Sequence, residues 1–311
     1  MINRRKMIGT CTSVAVATSL DFSSTAPADN NDENQISADL AISSKSNADQ
    51  SHLTANRIDT NVSLFKWPFR KLPLDQTEKL KTRLRSIGVT QAWAGSFEGV
   101  FQRDIAGVNQ RLVDECAEHP FFIPIGSINL SQPSWEKDLR QCIDQHQMRA
   151  IRLHPNYHEY SFDSSPFRNL LKIATSNDLL LQITATLEDT RTQNQLAARA
   201  DSNLLQLSST LDSAPKAMIQ LLNYRPTEKT SKILAKHEGL YLDTARIDGT
   251  DGLKQITHHV PEERLLFGTH APFLIPEASM IRILESGIHA SARDKILYQN
   301  ANHLSPHVTK P

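Results

Sequence analysis

The sequence predicts an α/β chain with a single (β/α)8 TIM-barrel domain over residues 56–305. Three observations predict it. From residue 57 short apolar runs alternate with longer amphipathic segments, the rhythm of a parallel sheet with helical crossovers. The alternation repeats eight times within about 230 residues, which suits a closed barrel. The turn after the first run, SLFKWPFRKLP, has no glycine; an open nucleotide-binding sheet would want a Gly-rich turn there.

The eight strand-like runs are 57–64 (RIDTNVSL), 89–96 (VTQAWAGS), 122–129 (FIPIGSIN), 148–154 (MRAIRLH), 179–185 (LLLQITA), 217–223 (AMIQLLN), 239–245 (GLYLDTA) and 264–270 (RLLFGTH). Helical periodicity follows at 75–87, 104–118, 133–146, 165–177, 202–213, 226–237, 251–259 and 275–286. Leu80, Leu84 and Ile87 show the spacing, as do Leu170, Leu171 and Ala174. Pro133 and Pro166 fall where a first helical turn tolerates proline.

Residues 1–28 read as an export signal. Arg4, Arg5 and Lys6 precede a weakly apolar stretch at 8–20, too short to span a bilayer, and Ala26-Pro27-Ala28 supplies small residues for cleavage. NRRKMIG resembles a twin-arginine signal, with Met7-Ile8 where Phe-Leu is usual. Residues 29–55 are rich in Asn, Asp, Ser and Ala and read as a disordered linker; residues 306–311 are a tail. The expected location is the periplasm or another exported compartment, with no membrane span after signal removal. The 34 basic and 34 acidic side chains cancel, and aromatics make up 6%. That excludes a polyanion groove and stacking platforms, so no nucleic-acid partner is expected. Cys11 would leave with the leader, and Cys116 and Cys142 lack zinc-site spacing and read as inert thiols.

A barrel of this kind carries its active site at the C-terminal ends of the strands. Those ends offer Asn61, Ser63 and Trp67 from the first strand, Ser96 from the second and Asn129 from the third. The fourth gives Arg152, His154 and His158, the fifth Glu188, Asp189 and Arg191, the sixth Asn223, the seventh Asp243 and the eighth His270. The segment 151–162 (IRLHPNYHEYSF) gathers Arg152, His154, Asn156, Tyr157, His158 and Tyr160, a density of polar groups that calls for a ligand or a loop-ordering network. In 187–191 (LEDTR), Glu188 and Asp189 are candidate bases or metal ligands and Arg191 a candidate carboxylate fork; the alternative is an ion pair within the loop. Trp67-Pro68-Phe69-Arg70 either stacks on a ligand, with Arg70 clamping an anion, or plugs the barrel top. His154, His158, Asp243 and His270 are candidate ligands for a divalent metal such as zinc, with no metal assigned outright; simple hydrogen bonding is the commoner fate of paired histidines.

Three pieces taken in order carry a resemblance: IDTNVSL at the first strand, IRLHPNYHEY at the fourth and RLLFGTHAPF at the eighth, with YQNANHL as a closing helix. Over residues 57–305 the chain resembles the amidohydrolase-related (type 2) family of metal-dependent hydrolase-like barrels. The resemblance implies hydrolysis or decarboxylation of a small carbonyl or carboxylate compound with a divalent metal. It implies metal ligands from a His-x-His pair, which falls on Asn61 and Ser63, and from later histidines, which fall near Thr184 and on Asn223. The implied aspartate of the eighth strand falls on His270. Amide and hydroxyl groups do not replace imidazoles at zinc. The expected function is therefore a hydrolase or related decarboxylase with a degenerate or rebuilt metal site. His154 or His270 would act as general base, with Asp243 beside them. Asn61, Trp67, Arg70, Arg152, Tyr157, His158, Glu188, Arg191 and Asn223 would bind the substrate. The alternative is a non-catalytic periplasmic barrel that binds a small ligand.

Overall fold

The strands that carry the site alternate along the chain with the helices that cover them. The computed structural model describes residues 56–304 except Thr190 and Asp201. The leader, the linker and the tail expected from the sequence lie outside the described residues.

The strands are β1 (Ile58–Leu64), β2 (Gln91–Ser96), β3 (Phe122–Pro124), β4 (Gly126–Ser127), β5 (Ala150–Leu153), β6 (Leu180–Thr184), β7 (Met218–Leu222), β8 (Leu240–Asp243) and β9 (Leu265–Leu266). All pair in parallel and in chain order, as β1-β2-β3 and as β4 to β9. Main-chain bonds join the two sheets at both seams. Between β3 and β4, Ile125 N donates to Ala94 O at 2.8 Å, so 122–127 acts as one stave. Between the first and last staves, Thr60 N donates to Phe267 O (2.8 Å), His270 N to Asn61 O (2.9 Å) and Ser63 N to Ala271 O (3.0 Å). These bonds bring the last stave against the first, so eight staves follow one another around a cylinder.

The expected third and eighth strands differ most from their observed forms. Pro124 lacks an N–H, and the third stave breaks after it. The eighth is regular only at Leu265–Leu266. Beyond it the chain keeps its bonds to β1, then turns at His270, whose φ of 56° is left-handed. The helices fall within two or three residues of the expected spans at most ends. The 133–146 span becomes a helix at Trp135–Arg140 with a π turn at Gln141–Gln145, and Pro133 lies just outside it. Pro166 does sit in a first turn, where Ser164 caps by accepting from Phe167 N.

The helices bury one face each, Leu80 and Leu84 on Thr77–Ser86 and Leu170, Leu171 and Ala174 on Ser165–Ser176. Inside the cylinder the filling is partly polar. Gln182 Nε2 donates to Thr60 O (2.9 Å) and Gln220 Oε1 (2.8 Å), and Gln220 Nε2 to Thr60 Oγ1 (2.7 Å). Arg152 Nε donates to Gln182 Oε1 at 2.9 Å. Cys116 and Cys142 are buried and free, and burial pushes both thiols up to about 12.

Candidate active site

Asn61, Ser63, Arg152, His154, Asn223, Asp243 and His270 all come to the C-terminal ends of their staves and all are buried. The floor is a closed hydrogen-bond set. Asn223 Nδ2 donates to Thr186 O (2.9 Å), which turns its Oδ1 toward Asn61. Asn61 Nδ2 donates to that Oδ1 (2.7 Å) and to Asp243 Oδ2 (2.5 Å). Asp243 Oδ1 takes the main-chain N–H of Asn223 at 3.1 Å, and Asn223 holds a left-handed φ of 59°, which Asn tolerates better than most residues. Burial pushes the Asp243 carboxyl up to about 7, against the pull of these donors. Asp59, below it, accepts from Asn61 N and Thr269 N (3.0 Å each) and from the Thr269 hydroxyl (2.5 Å); burial raises it to about 6.

Arg152 crosses the cylinder from β5 to β1. Its Nη1 donates to Val62 O (2.8 Å) and Ser63 Oγ (3.2 Å), and Nη2 is buried without a partner. Gly95 makes the crossing possible, because a Cβ there would lie 2.6 Å from Nη1. Burial lowers the guanidinium to about 10 against the support of Asp243 and Asp59, which leaves it charged at neutral pH.

The three histidines are neutral for one dominant reason, desolvation: His154 is lowered well below its ordinary value, His158 to about 4 and His270 to about 3. Their partners fix their tautomers. Thr184 Oγ1 donates to Leu153 O (2.7 Å) and so can only accept from His154 Nδ1 (2.8 Å); the proton sits on Nδ1. His154 Nε2 keeps its lone pair, buried and unpartnered. His158 Nε2 donates to Gly99 O at 3.1 Å, which leaves Nδ1 bare. His270 Nε2 donates to Leu187 O at 2.6 Å. His270 therefore spends its N–H on the loop after β6.

A roof closes the mouth. Trp67 is 3% exposed and packs edge-on against Phe97 (5.3 Å between centroids), Phe273 (5.1 Å) and Tyr157 (6.3 Å). Of the two readings of the WPFR turn, the plug is the observed one. Arg70 Nε pairs with Glu188 Oε1 at 3.0 Å and its guanidinium lies over the Phe273 ring. Under this roof Trp67 Nε1, Tyr157 OH and Glu188 Oε2 are buried without partners. Arg191 departs from its expected role as a substrate fork. Its side chain is 84% exposed and chelates Asp189 with two bonds of 2.9 Å. The ion-pair alternative is the one realised, because Asp189, two residues away, accepts from both ends of the guanidinium.

Asp59, Gln182 and Gln220 were not singled out from the sequence, and Thr184 only as the place near which a ligand histidine would fall. Alternation along their strands offered a signal, since Gln182 and Thr184 share the inward face of β6. The resemblance expected a metal at positions 61, 63, 184, 223 and 270. The residues there do not fit one. Asn61 presents two N–H groups, Asn223 faces it with its only free oxygen, Thr184 and Ser63 bind His154 and Arg152, and His270 binds Leu187. A cation needs converging lone pairs. Among the described residues no three His, Cys, Asp or Glu side chains converge, so His154, His158, Asp243 and His270 do not form one ligand set.

Known structures share this architecture. An uncharacterised TIM-barrel protein from Bordetella bronchiseptica matches with a TM-score of 0.64 at 16% identity, covering 80% of this chain and 98% of that one. A 2,6-dihydroxybenzoate decarboxylase from Rhizobium matches at 0.64 and 13%, covering 80% and 98%. A dihydroxybenzoic acid decarboxylase from Polaromonas, with bound manganese and 2-nitroresorcinol, matches at 0.63 and 14%, covering 80% and 96%. No curated protein sequence matches the chain. The sequence profile of the amidohydrolase family (Amidohydro_2) matches residues 85–304, and the chain therefore belongs to that family.

Proposed function

We propose that the protein is an amidohydrolase-family enzyme that hydrolyses or decarboxylates a small carbonyl- or carboxylate-bearing compound in the barrel mouth. One observation carries the reading. Beneath the roof, His154 Nε2, Arg152 Nη2, Tyr157 OH, Trp67 Nε1 and Glu188 Oε2 are all buried and all unpartnered. Unmet polar groups cost free energy, about 1–3 kcal/mol each, unless something else meets them. A small carboxylate suits the set, with Arg152 and Tyr157 as donors to its oxygens. The decarboxylases of similar fold act on dihydroxybenzoates.

His154 is the proton carrier because Thr184 fixes its tautomer and burial keeps Nε2 unprotonated. In hydrolysis Nε2 takes a proton from water as the oxygen attacks the carbonyl carbon, Arg152 Nη2 receives the developing oxyanion, and the imidazolium returns that proton to the leaving oxygen or nitrogen as its bond to the carbonyl carbon breaks. In decarboxylation the same imidazole takes the proton that a substrate carboxylic acid brings with it and delivers it to the carbon bearing the carboxylate, whose bond to that carbon then breaks to release carbon dioxide. Trp67, Phe97 and Phe273 exclude bulk water. The test is product formation from a panel of aryl carboxylates and small esters and amides by wild type and His154→Ala. Turnover that survives His154→Ala unchanged overturns the assignment.

Ligand binding without turnover is a second reading, and the floor favours it, because Asn61, Asn223 and Asp243 satisfy one another. A thermal shift with a ligand and no product would select it. The Arg4-Arg5 leader supports export to the periplasm; retention of an Arg4→Lys, Arg5→Lys chain in the cytoplasm, seen by fractionation, is the expected result.

A further inference from the structure

We infer that this mouth works without a divalent metal and that Arg152, through Nη2, supplies the positive charge a substrate oxygen meets there. The inference deepens the reading of the mouth as the working site and rests on it. Every position where the family resemblance expects a metal ligand is committed to holding some other group. Asn61 and Asn223 hold Asp243. Ser63 supports the Arg152 guanidinium. Thr184 sets the His154 tautomer. His270 holds Leu187 in the roof. The orientation of the amides is over-determined, because Thr186 O accepts from Asn223 Nδ2 and so forces Asn223 Oδ1 and the Asp243 carboxylate to face Asn61 Nδ2. A hydrogen-bond donor occupies the centre, where a metal would need acceptors.

The charge is supplied by another group. Arg152 is 2% exposed and pinned at three points by Gln182 Oε1, Val62 O and Ser63 Oγ, which leaves only Nη2 unspent. The carboxyls of Asp59 and Asp243 act on it electrostatically, so a buried cation is tolerated. A guanidinium N–H binds an oxyanion along one direction and needs no converging ligands behind it.

The test uses the full chain purified without chelators. Metal content by mass spectrometry is expected to be far below one equivalent. Calorimetric titration with zinc or manganese is expected to give no binding that Asp243→Asn abolishes. Benzoate, as an anionic probe, is expected to bind, and Arg152→Lys to weaken it about 10- to 100-fold, the size of one charge-assisted hydrogen bond. If Arg152→Lys does not fold, Ser63→Ala is read instead, with a loss of about 2- to 10-fold expected from one neutral bond. One equivalent of metal that depends on Asp243 overturns the inference. So does the absence of benzoate binding to wild type, or an unchanged affinity in the folded variant. None of these readouts needs turnover; metal-free benzoate binding without any product upholds the inference and removes only the enzymatic reading.

Discussion

The proton on His154 is decided by a threonine. Thr184 has one hydroxyl hydrogen, and Leu153 O takes it. The imidazole, kept neutral by burial, is therefore protonated on Nδ1 and bare on Nε2, a form that 15N NMR of labelled histidine reads directly. His154→Ala is expected to lower kcat/KM about 10²- to 10⁴-fold, the usual weight of a general base, with the fold retained. Thr184→Val leaves the Nδ1–H unpaired at a cost of about 1–3 kcal/mol in denaturant titration and frees the tautomer, so the NMR signature mixes. The floor makes a sharper case. Asp243→Asn sets an amide against Asn61 Nδ2, and whichever way the amide turns, one donor opposes another at Asn61 or at Asn223 N. A loss of about 1–3 kcal/mol is expected, partly recovered in the Asn61→Ala, Asp243→Asn double variant because the opposing donor is gone. Equal losses in the single and double variants would refute the donor-centred floor.

Elements bring these residues together by the periods of strand and helix, and that part was legible. The inward alternation of β5 put Arg152 and the following His154 at the mouth, and Leu80 and Leu84 named the buried face of their helix. What the sequence did not disclose was partnership. Trp67-Pro68-Phe69-Arg70 reads equally as a ligand platform or a plug, and only the positions of Phe97, Tyr157 and Phe273 decide it. Arg191 reads as a substrate fork until Asp189, two residues away, is seen to take both its ends. Asp59 lies in the quoted IDTNVSL, yet its role depends on Thr269, 210 residues on. Close approach between elements is equally silent in the sequence. Gly95 on β2 leaves just the room the Arg152 guanidinium fills, so Gly95→Ala, with its Cβ 2.6 Å from Nη1, must push Arg152 off Val62 O and Ser63 Oγ. The expected cost is about 1–3 kcal/mol by urea unfolding, with benzoate affinity falling in parallel. Unchanged affinity would detach Arg152 from ligand binding.

The whole molecule carries two buried titrations of opposite sign, and their balance sets its pH dependence. The imidazoles of His154, His158 and His270 bind protons less tightly folded than unfolded, because burial disfavours their charge. They favour the fold above about pH 6.5, and that contribution is lost as pH falls toward about 4. Asp59 and Asp243 are raised from 3.8 to about 6 and about 7. They favour the fold below the unfolded value, and their contribution is lost as pH rises through about 6 and 7. Between about pH 4.5 and 5.5 the unfolded chain holds three imidazole protons the fold lacks, while the fold holds two carboxyl protons the unfolded chain lacks. From these five groups one net proton remains, a slope of about 1.4 kcal/mol per pH unit, against about 4 for the imidazoles alone. The acid limb of stability is therefore shallow, and it levels off only above about pH 7. Asp59→Asn removes one offsetting proton, and the limb is expected to steepen to about 2.7 kcal/mol per pH unit. Urea titrations of wild type and Asp59→Asn at pH 4.5, 5.0 and 5.5 measure both slopes. Parallel limbs would mean that Asp59 is ionised in the fold, and that Arg152 faces its buried carboxylate at these pH values.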